Sequence, residues 1–309
     1  MATIAEIGQL INCNADALGT GRKGKNDAFK KTTSLWLFKK GTTLDASQDI
    51  TTSSDYIQSL QIDKKLVIIK NVVEFTPNIE EDVRFTDESG VISTLRKGLY
   101  SFDAKFRDGV SFQSALASLR SFGAYDMCLV DNNNTILGTA SGDTIKGFTL
   151  GMFEDGAYMF ENNSENNSQS VTFQFIERDE LSKNAFTLNG CDWDWSPMML
   201  DGVNQVSLEI LPIADAATTI TVKARLKNGR DIATGIDFSQ FLFTVGGATV
   251  NPTAGGDSVT PGTYILTGFA AVSTNDVVTA GLYNNTTNKS VIKVDTELFQ
   301  SNTDTAVVA

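Results

Sequence analysis

Two aspartates separated by one tryptophan, Asp192-Trp193-Asp194, are the residues whose type and spacing come nearest to chemistry. Paired carboxylates beside an aromatic platform are the working parts of glycoside hydrolysis. That reaction needs its two acids about 5–9 Å apart across a cleft, carried on separate elements. Here Asp192 and Asp194 alternate with Trp193 and Trp195 along one segment. Such alternation marks a solvent face, with the tryptophans turned inward. A second pattern, Gly19-Thr20-Gly21-Arg22-Lys23-Gly24, spells G-x-G-x-x-G, and Asp45 stands near the distance of a ribose-binding acid. A dinucleotide loop must follow a buried strand and open a helix, and nothing before Gly19 reads as such a strand. The same stretch nearly forms a phosphate loop with Lys25, but Asn26 sits where Ser or Thr must hold magnesium. A flexible basic arm is the better reading. Asp131-Asn132-Asn133-Asn134-Thr135 resembles the start of a calcium loop. Ile136 occupies its glycine position and Gly142 the position of the bidentate glutamate, so a tight Asn-rich turn is expected instead.

The remaining chemistry-bearing residues are sparse. Histidine is absent, which removes the side chain best matched to proton transfer near neutral pH and the commonest metal ligand. Cys13, Cys128 and Cys191 are odd in number and widely spaced, with no C-x-x-C pair. They read as unpaired, buried thiols of a protein made in a reducing compartment. No lysine, serine or tyrosine has a spacing that suggests a nucleophile with its base. The expectation is a non-enzyme with no catalytic, cofactor-binding or metal-ligating residue and no cofactor.

Net charge is −12 over 309 residues, against a general nucleic-acid binder, which needs clustered Lys and Arg. The charge is uneven: residues 1–70 carry 10 basic and 7 acidic residues, residues 71–215 carry 9 and 23, and the rest 6 and 7. The first residues lack the basic and apolar blocks of a secretory signal, and no run approaches the roughly 18 apolar residues of a membrane span. The N-x-S/T triplets at Asn133, Asn162 and Asn166 therefore carry no weight as glycosylation sites.

The elements that would position these residues are mostly strands. Residues 1–40 read as an arm, Gly- and Lys-rich with little periodicity, entering a first strand near residues 35–38. Helical turns follow at 55–60. The β-branched run LVIIKNVVEF over residues 66–75 predicts one strand ending in a turn at Thr76-Pro77-Asn78. Acidic residues 79–99 predict a long hairpin or mobile loop, and 100–106 a half-buried strand. Ser111 caps an expected helix over residues 112–122, stopped by Gly123. Further strands are expected at 125–130, 135–139, 145–152, 157–160, 171–177 and 203–211, with a solvated loop over 161–169. Residues 212–218 read as a linker. Beyond it, turn signals recur every 8 to 12 residues, including Gly255-Gly256, and indicate a β-sandwich. Its strands fall at 219–226, 241–245, 262–267, 277–283 and 290–295. The division expected is an arm and first strand over 1–40, a β-rich core domain over 41–215 and a sandwich over 216–309.

The opening MATIAEIGQLINCNADALGTGRKG and the block FRDGVSFQSALASLRSFGAYDMCLVDNNNTILGT resemble virion structural proteins of tailed bacteriophages, over approximately residues 1–211. Within that group the layout resembles tail-tube proteins. The resemblance implies a mainly β fold: a tube-like β-sandwich or barrel with one flanking helix, a long hairpin and an N-terminal arm, then an immunoglobulin-like sandwich. It implies a homo-oligomer, with subunits in stacked, hexameric rings whose joined sheets guide DNA without sequence-specific binding. Its partners would be copies of itself and other virion proteins, with no membrane. Its place would be the virion, assembled in the host cytoplasm. A channel that conducts DNA should not bind it, and the acidity of residues 71–215 suits that, although the same excess also serves as solubilising surface charge. A capsid-associated decoration or head-fibre protein, and an extracellular adhesin or carbohydrate-binding module, are the competing readings.

Overall fold

The run Thr32–Lys39 (β1) is buried almost throughout, and its centre Leu35–Phe38 is apolar without a break because both of its faces are covered. Trp36 and Phe38 enter one core, and Leu35 and Leu37 enter another on the opposite side. β1 lies between Leu66–Lys70 (β2) and Tyr125–Asp131 (β7), antiparallel to both. The computed structural model describes residues 29–45, 47–141, 144–161, 166–188, 194–227 and 231–309. The arm ahead of Phe29, Gly19 to Gly24, Cys13, Cys191, Asp192 and Trp193 therefore lie outside the described residues. The fold is mainly β, as expected, and the chain divides into two units, residues 1–201 and 202–309.

In the first unit one sheet runs through Ala185–Leu188 (β12), Ile136–Ser141 (β8), β7, Phe148–Asp155 (β10), Gln169–Phe175 (β11), Tyr100–Phe106 (β6) and Glu74–Ile79 (β3). Its first half pairs β10 with β7 at Phe148 and Thr149; from Leu150 on, β10 pairs with β11 instead, with a register shift between Leu150 and Met152. That change of partner lets the sheet fold over one core, where Leu35, Leu37 and Met127 meet Phe102, Phe173 and Phe175. Phenylalanines step across the strands, with Phe75–Phe102, Phe102–Phe173 and Phe148–Phe175 ring centroids 5.3, 5.4 and 4.7 Å apart. Each such pair adds about 0.5–1.5 kcal/mol beyond simple burial. Helix Asp55–Ile62 (α1) closes the other side of the first half through Ile57 and Leu60, helped by Trp195, Met198 and Leu200. Helix Val110–Ser118 (α2) seats Leu116 in the phenylalanine-rich core.

Several sequence expectations are corrected here. Residues 66–75 are two strands, not one: Asn71 adopts φ 65° and the chain leaves β1 to pair with β6 as β3. Thr76-Pro77-Asn78 is not a turn but the middle of β3. β3 is the sheet edge, where a missing ladder N–H is tolerated. Helix α2 starts on Gly109 with no Ser111 cap and ends four residues before Phe122, because Ser121 is drawn into a two-bond bridge with Phe153. The strand expected at 145–152 is split into Thr144–Lys146 (β9), paired with β8, and β10. Residues 157–160 form only a single bridge, Met159 to Ser168.

The largest correction concerns the boundary between the units, which falls at residue 201 rather than 215. The strand expected at 203–211, Asn204–Ile210 (β13), belongs to the second unit. There it pairs with Thr219–Leu226 (β14), which continues to Thr263–Thr267 (β18) and Ala254–Asp257 (β17). Facing this sheet, Phe241–Val245 (β15) joins Ala248–Val250 (β16) on one side and Val277–Leu282 (β19) on the other, and Asp304–Val307 (β22) follows β19. Strands β13, β14, β18 and β17 against β15, β19 and β22 reproduce the two-sheet immunoglobulin order, with β16 as an added edge. Gly255-Gly256, expected as a turn, lies within β17, where a Cβ on Gly255 would sit 2.5 Å from the Ile265 carbonyl oxygen. An extra hairpin, Val291–Val294 (β20) and Glu297–Ser301 (β21), lies parallel to β13. Where β21 ends, side chains take over: Leu208 N–H donates to Asn302 Oδ1 at 2.8 Å and Ile210 N–H to Asp304 Oδ2 at 2.7 Å.

This boundary is testable by truncation. Val206, Leu208, Ile210 and Ile213 are core residues of the second unit. Burying four such side chains stabilises by roughly 6–12 kcal/mol, comparable to a whole domain's net stability. A fragment of residues 202–309 should melt cooperatively by circular dichroism, whereas residues 216–309 should show no folded baseline. A cooperative melt of the shorter fragment would move the boundary back to residue 215.

Candidate assembly surface

The strands β3, β6, β11 and β10 bury their phenylalanines on one face and turn a polar face outward. Register fixes the rows on that face. Glu74 lies beside Lys105 and Ser170; Thr76 beside Asp103, Thr172 and Glu154; Asn78 beside Ser101, Gln174 and Met152. Asp103 accepts from Asn78 Nδ2 at 2.9 Å and from Thr172 Oγ1, and Gln174 Nε2 donates to Ser101 Oγ at 3.2 Å. Lys105 pairs with Glu74 at 3.0 Å and Arg120 with Glu154 at 2.9 Å. One carboxylate, Asp103, remains after those pairs, so the grid is close to neutral. With the boundary at residue 201, residues 71–201 carry 9 basic and 21 acidic residues, because Glu209 and Asp215 pass to the second unit. The acidity of this segment therefore lies away from the polar face, concentrated on the connections.

The clearest of those connections is a hairpin, Val83–Thr86 (β4) and Ile92–Arg96 (β5), paired only with each other. It forms as expected because Asp87 closes its turn, accepting the Ser89 and Val91 N–H groups at 2.9 and 2.8 Å. Phe85 faces Ser93 across the pair, and alternation puts Val83, Val91 and Leu95 on the same side. These side chains are not covered: Phe85 is 53% and Leu95 67% exposed. The base, by contrast, is tied down. Asp82 accepts the Gly98 N–H at 2.9 Å and pairs with Arg178, which also donates to the Gly98 carbonyl at 3.3 Å and stacks over Tyr100, 5.5 Å from its centroid. Arg178 opens helix Arg178–Ser182 (α3). From the same helix Glu180 accepts Thr149 N–H at 2.6 Å and pairs with Lys146 at 2.9 Å, which fixes it to β10. The Gly98 N–H, then Arg178, hold the Asp82 carboxyl below the usual carboxylate range. The clamp is thus complete above about pH 3.9 and is lost as pH falls through the depressed value.

The residues singled out in the sequence are placed elsewhere. Asp131 is fully buried and accepts the Asn133 and Thr135 N–H groups at 2.7 and 2.8 Å and that of Lys30 at 2.9 Å. Its lone pairs serve a turn rather than an ion, with Asn134 at φ 60°. Trp195 turns inward, donating Nε1–H to the Ile50 carbonyl at 2.6 Å, while Asp194 is exposed. Cys128 is buried, and burial pushes its thiol far above the ordinary range. A shallow recess lies between Thr139, Lys146, Glu177, Asp179, Glu180 and Asn184. Within it Lys146 pairs with Glu180, and Asp179 pairs with Lys183 and Lys97. Among the described residues no group of three or more His, Cys, Asp or Glu is arranged to hold a metal. Sequence reasoning found the hairpin but not its apolar face. The signal was present in the alternation of Val83 and Phe85 and in Val91-Ile92 and Leu95, embedded among acids.

No protein-family model matches the chain, and no curated protein is significantly similar to it.

The clamp generates a direct test. A Cβ at Gly98 would lie 1.8 Å from the Glu80 carbonyl oxygen, a backbone atom that cannot step aside. Gly98→Ala should open the hairpin base, so that trypsin cuts after Arg84 and Arg96 about tenfold faster or more. Asp82→Asn should do the same to a smaller degree, with thermal melting of the unit little changed. Cleavage at the wild-type rate in Gly98→Ala would contradict the clamp.

Proposed function

We propose that this chain is a structural protein of a tailed-phage virion that joins copies of itself into stacked rings, forming a tube through which DNA passes. The observation that carries this reading is the presence of two surfaces on the first unit. A hairpin with uncovered apolar side chains is clamped at its base, and beside it a four-stranded sheet presents a near-neutral grid of hydroxyl, amide and paired charges. Exposed contiguous apolar side chains rimmed by polar ones favour contact with another protein surface. A lining without clustered Lys or Arg gives phosphates nothing to hold, which suits a channel that must let DNA move.

The edges support the same reading. A sheet with open edges tends to pair with another chain unless it is blocked, and a closed ring satisfies edges by joining neighbours. β3 carries Pro77, and the stretch of β13 beyond β21 is sealed by Asn302 and Asp304, so pairing at both places is restrained. In this reading the second unit decorates the outside and is dispensable for assembly.

Electron microscopy of the purified full chain tests the proposal. Hollow filaments of uniform width are expected, and deleting residues 2–25 should abolish them while circular dichroism stays unchanged. Discrete trimers that bind empty capsids would favour decoration of a shell. Glycan binding with no assembly would favour an adhesin.

A further inference from the structure

The outer face of the sheet β16-β15-β19-β22 in the second unit is uncharged from edge to edge. Burial sets this up: Phe241, Phe243, Val278, Ala280 and Val308 are core residues, so alternation turns the residues between them to solvent. Register then aligns those residues in rows. Thr249, Thr244, Thr279 and Thr305 stand side by side on β16, β15, β19 and β22, with the Thr244 and Thr279 hydroxyls bonded to each other. Val277 lies beside Val307 in the row on one side, and Leu242 beside Gly281 in the row on the other. Val277 is 46% and Val307 60% exposed, and the threonine row is exposed at both ends, Thr249 and Thr305.

Residues 202–309 carry 6 basic and 9 acidic residues, yet none stands in these three rows. Other broad strand faces open to solvent are different. On the opposite side of the same unit β13 and β14 turn out Glu209, Lys223 and Arg225. The polar grid of the first unit carries Glu74, Lys105 and Asp103.

This chemistry narrows what can cover the face. A charged surface laid on it would lose water and gain no partner. It offers phosphates no Lys or Arg, and a broad sheet without an aromatic ring is not the concave site that a small ligand needs. A hydroxyl both donates and accepts, so a row of threonines can bond to an identical row, which carboxylates or ammonium groups cannot do. Two copies, each carrying a net charge of −12, can also approach by this face without setting like charges together. The face is therefore its own complement.

We propose that the second units of two copies pair through this face, sheet against sheet about a two-fold axis. The threonine ladder lies at the centre, with Val277, Val307 and Leu242 packed around it. Sheets stacked in this way sit about 10 Å apart. Four strands, each contributing about five residues, give roughly 300 Å² of footprint. A stable interface covers about 800 Å² on each partner. The pairing is accordingly weak between free chains and takes effect where copies are already held close. It does not rest on tube assembly, since it uses residues of the second unit alone.

Disulfide cross-linking of the full-length chain tests this, with Cys13 and Cys191 replaced by serine and the buried Cys128 retained. Thr244→Cys lies near the axis, where a residue meets its own copy. On oxidation it should form covalent dimers about tenfold faster or more than Ser207→Cys, an exposed position on the opposite side of the unit. Adding Thr279→Lys or Thr279→Glu to Thr244→Cys should lower the rate to that of Ser207→Cys, because like charges then face one another. An equal mixture of the two should recover cross-links, and by mass each should join one Thr279→Lys chain to one Thr279→Glu chain. The thermal melt should be unchanged throughout, because the altered side chains face solvent. Equal rates for Thr244→Cys and Ser207→Cys overturn the proposal. So does a mixture that stays slow, which would assign the face to a different partner. Filaments built from chains that cross-link no faster than Ser207→Cys would refute the pairing and leave the assembly reading standing; fast, charge-dependent cross-linking without filaments would do the reverse.

Discussion

Each strand must find partners for its N–H and C=O groups, and a side of the sheet that is apolar must be covered; the fold follows from meeting both demands at once. β10 meets them by serving two neighbours in succession, β7 and then β11, which bends the sheet over its phenylalanine core. β1 meets them by sitting between two cores, which is why four consecutive residues, Leu35 to Phe38, are apolar. In the second unit, β13 meets them with a parallel strand and then with the side chains of Asn302 and Asp304. The β4–β5 hairpin meets the first demand and leaves the second open. That imbalance leaves Phe85 and Leu95 exposed.

Much of the architecture was legible because burial leaves a short-range record. Alternation over Tyr100 to Phe106 and the strand boundaries Thr219–Leu226 and Phe241–Val245 could be read directly, since one face of each is buried and the turns between them are marked. What could not be read depends on partners distant in sequence. Asn71 breaks a uniformly β-branched run because the partner strand changes there. Pro77 tolerates a strand only because that strand is the edge. Gly255-Gly256 imitates a turn, but at Gly255 the glycine is needed because β18 approaches too closely for a side chain. β13 follows the same rule, as its alternation is that of any half-buried strand and only its pairing with β14 reveals its unit.

The candidate surface was legible to a lesser extent. Acidic residues drew attention to residues 79–99 as a solvated connection, and the apolar residues among them were masked by that composition. The clamp at its base joins Asp82 to Arg178 across 96 positions, a separation that no local pattern spans. Charge also misled in one respect. The excess of carboxylates in the middle of the chain is real, but the polar sheet face is almost balanced, made of hydroxyls, amides and internally paired ions.

The proposed assembly requires that surfaces left open on a single copy be closed between copies. Light-scattering mass of the purified chain over a concentration series measures this most directly. The account predicts a mass that climbs well above the 33.4 kDa of one chain, with the rise abolished when Phe85 and Leu95 are both made serine. A mass that stays at one chain at the highest attainable concentration would contradict it.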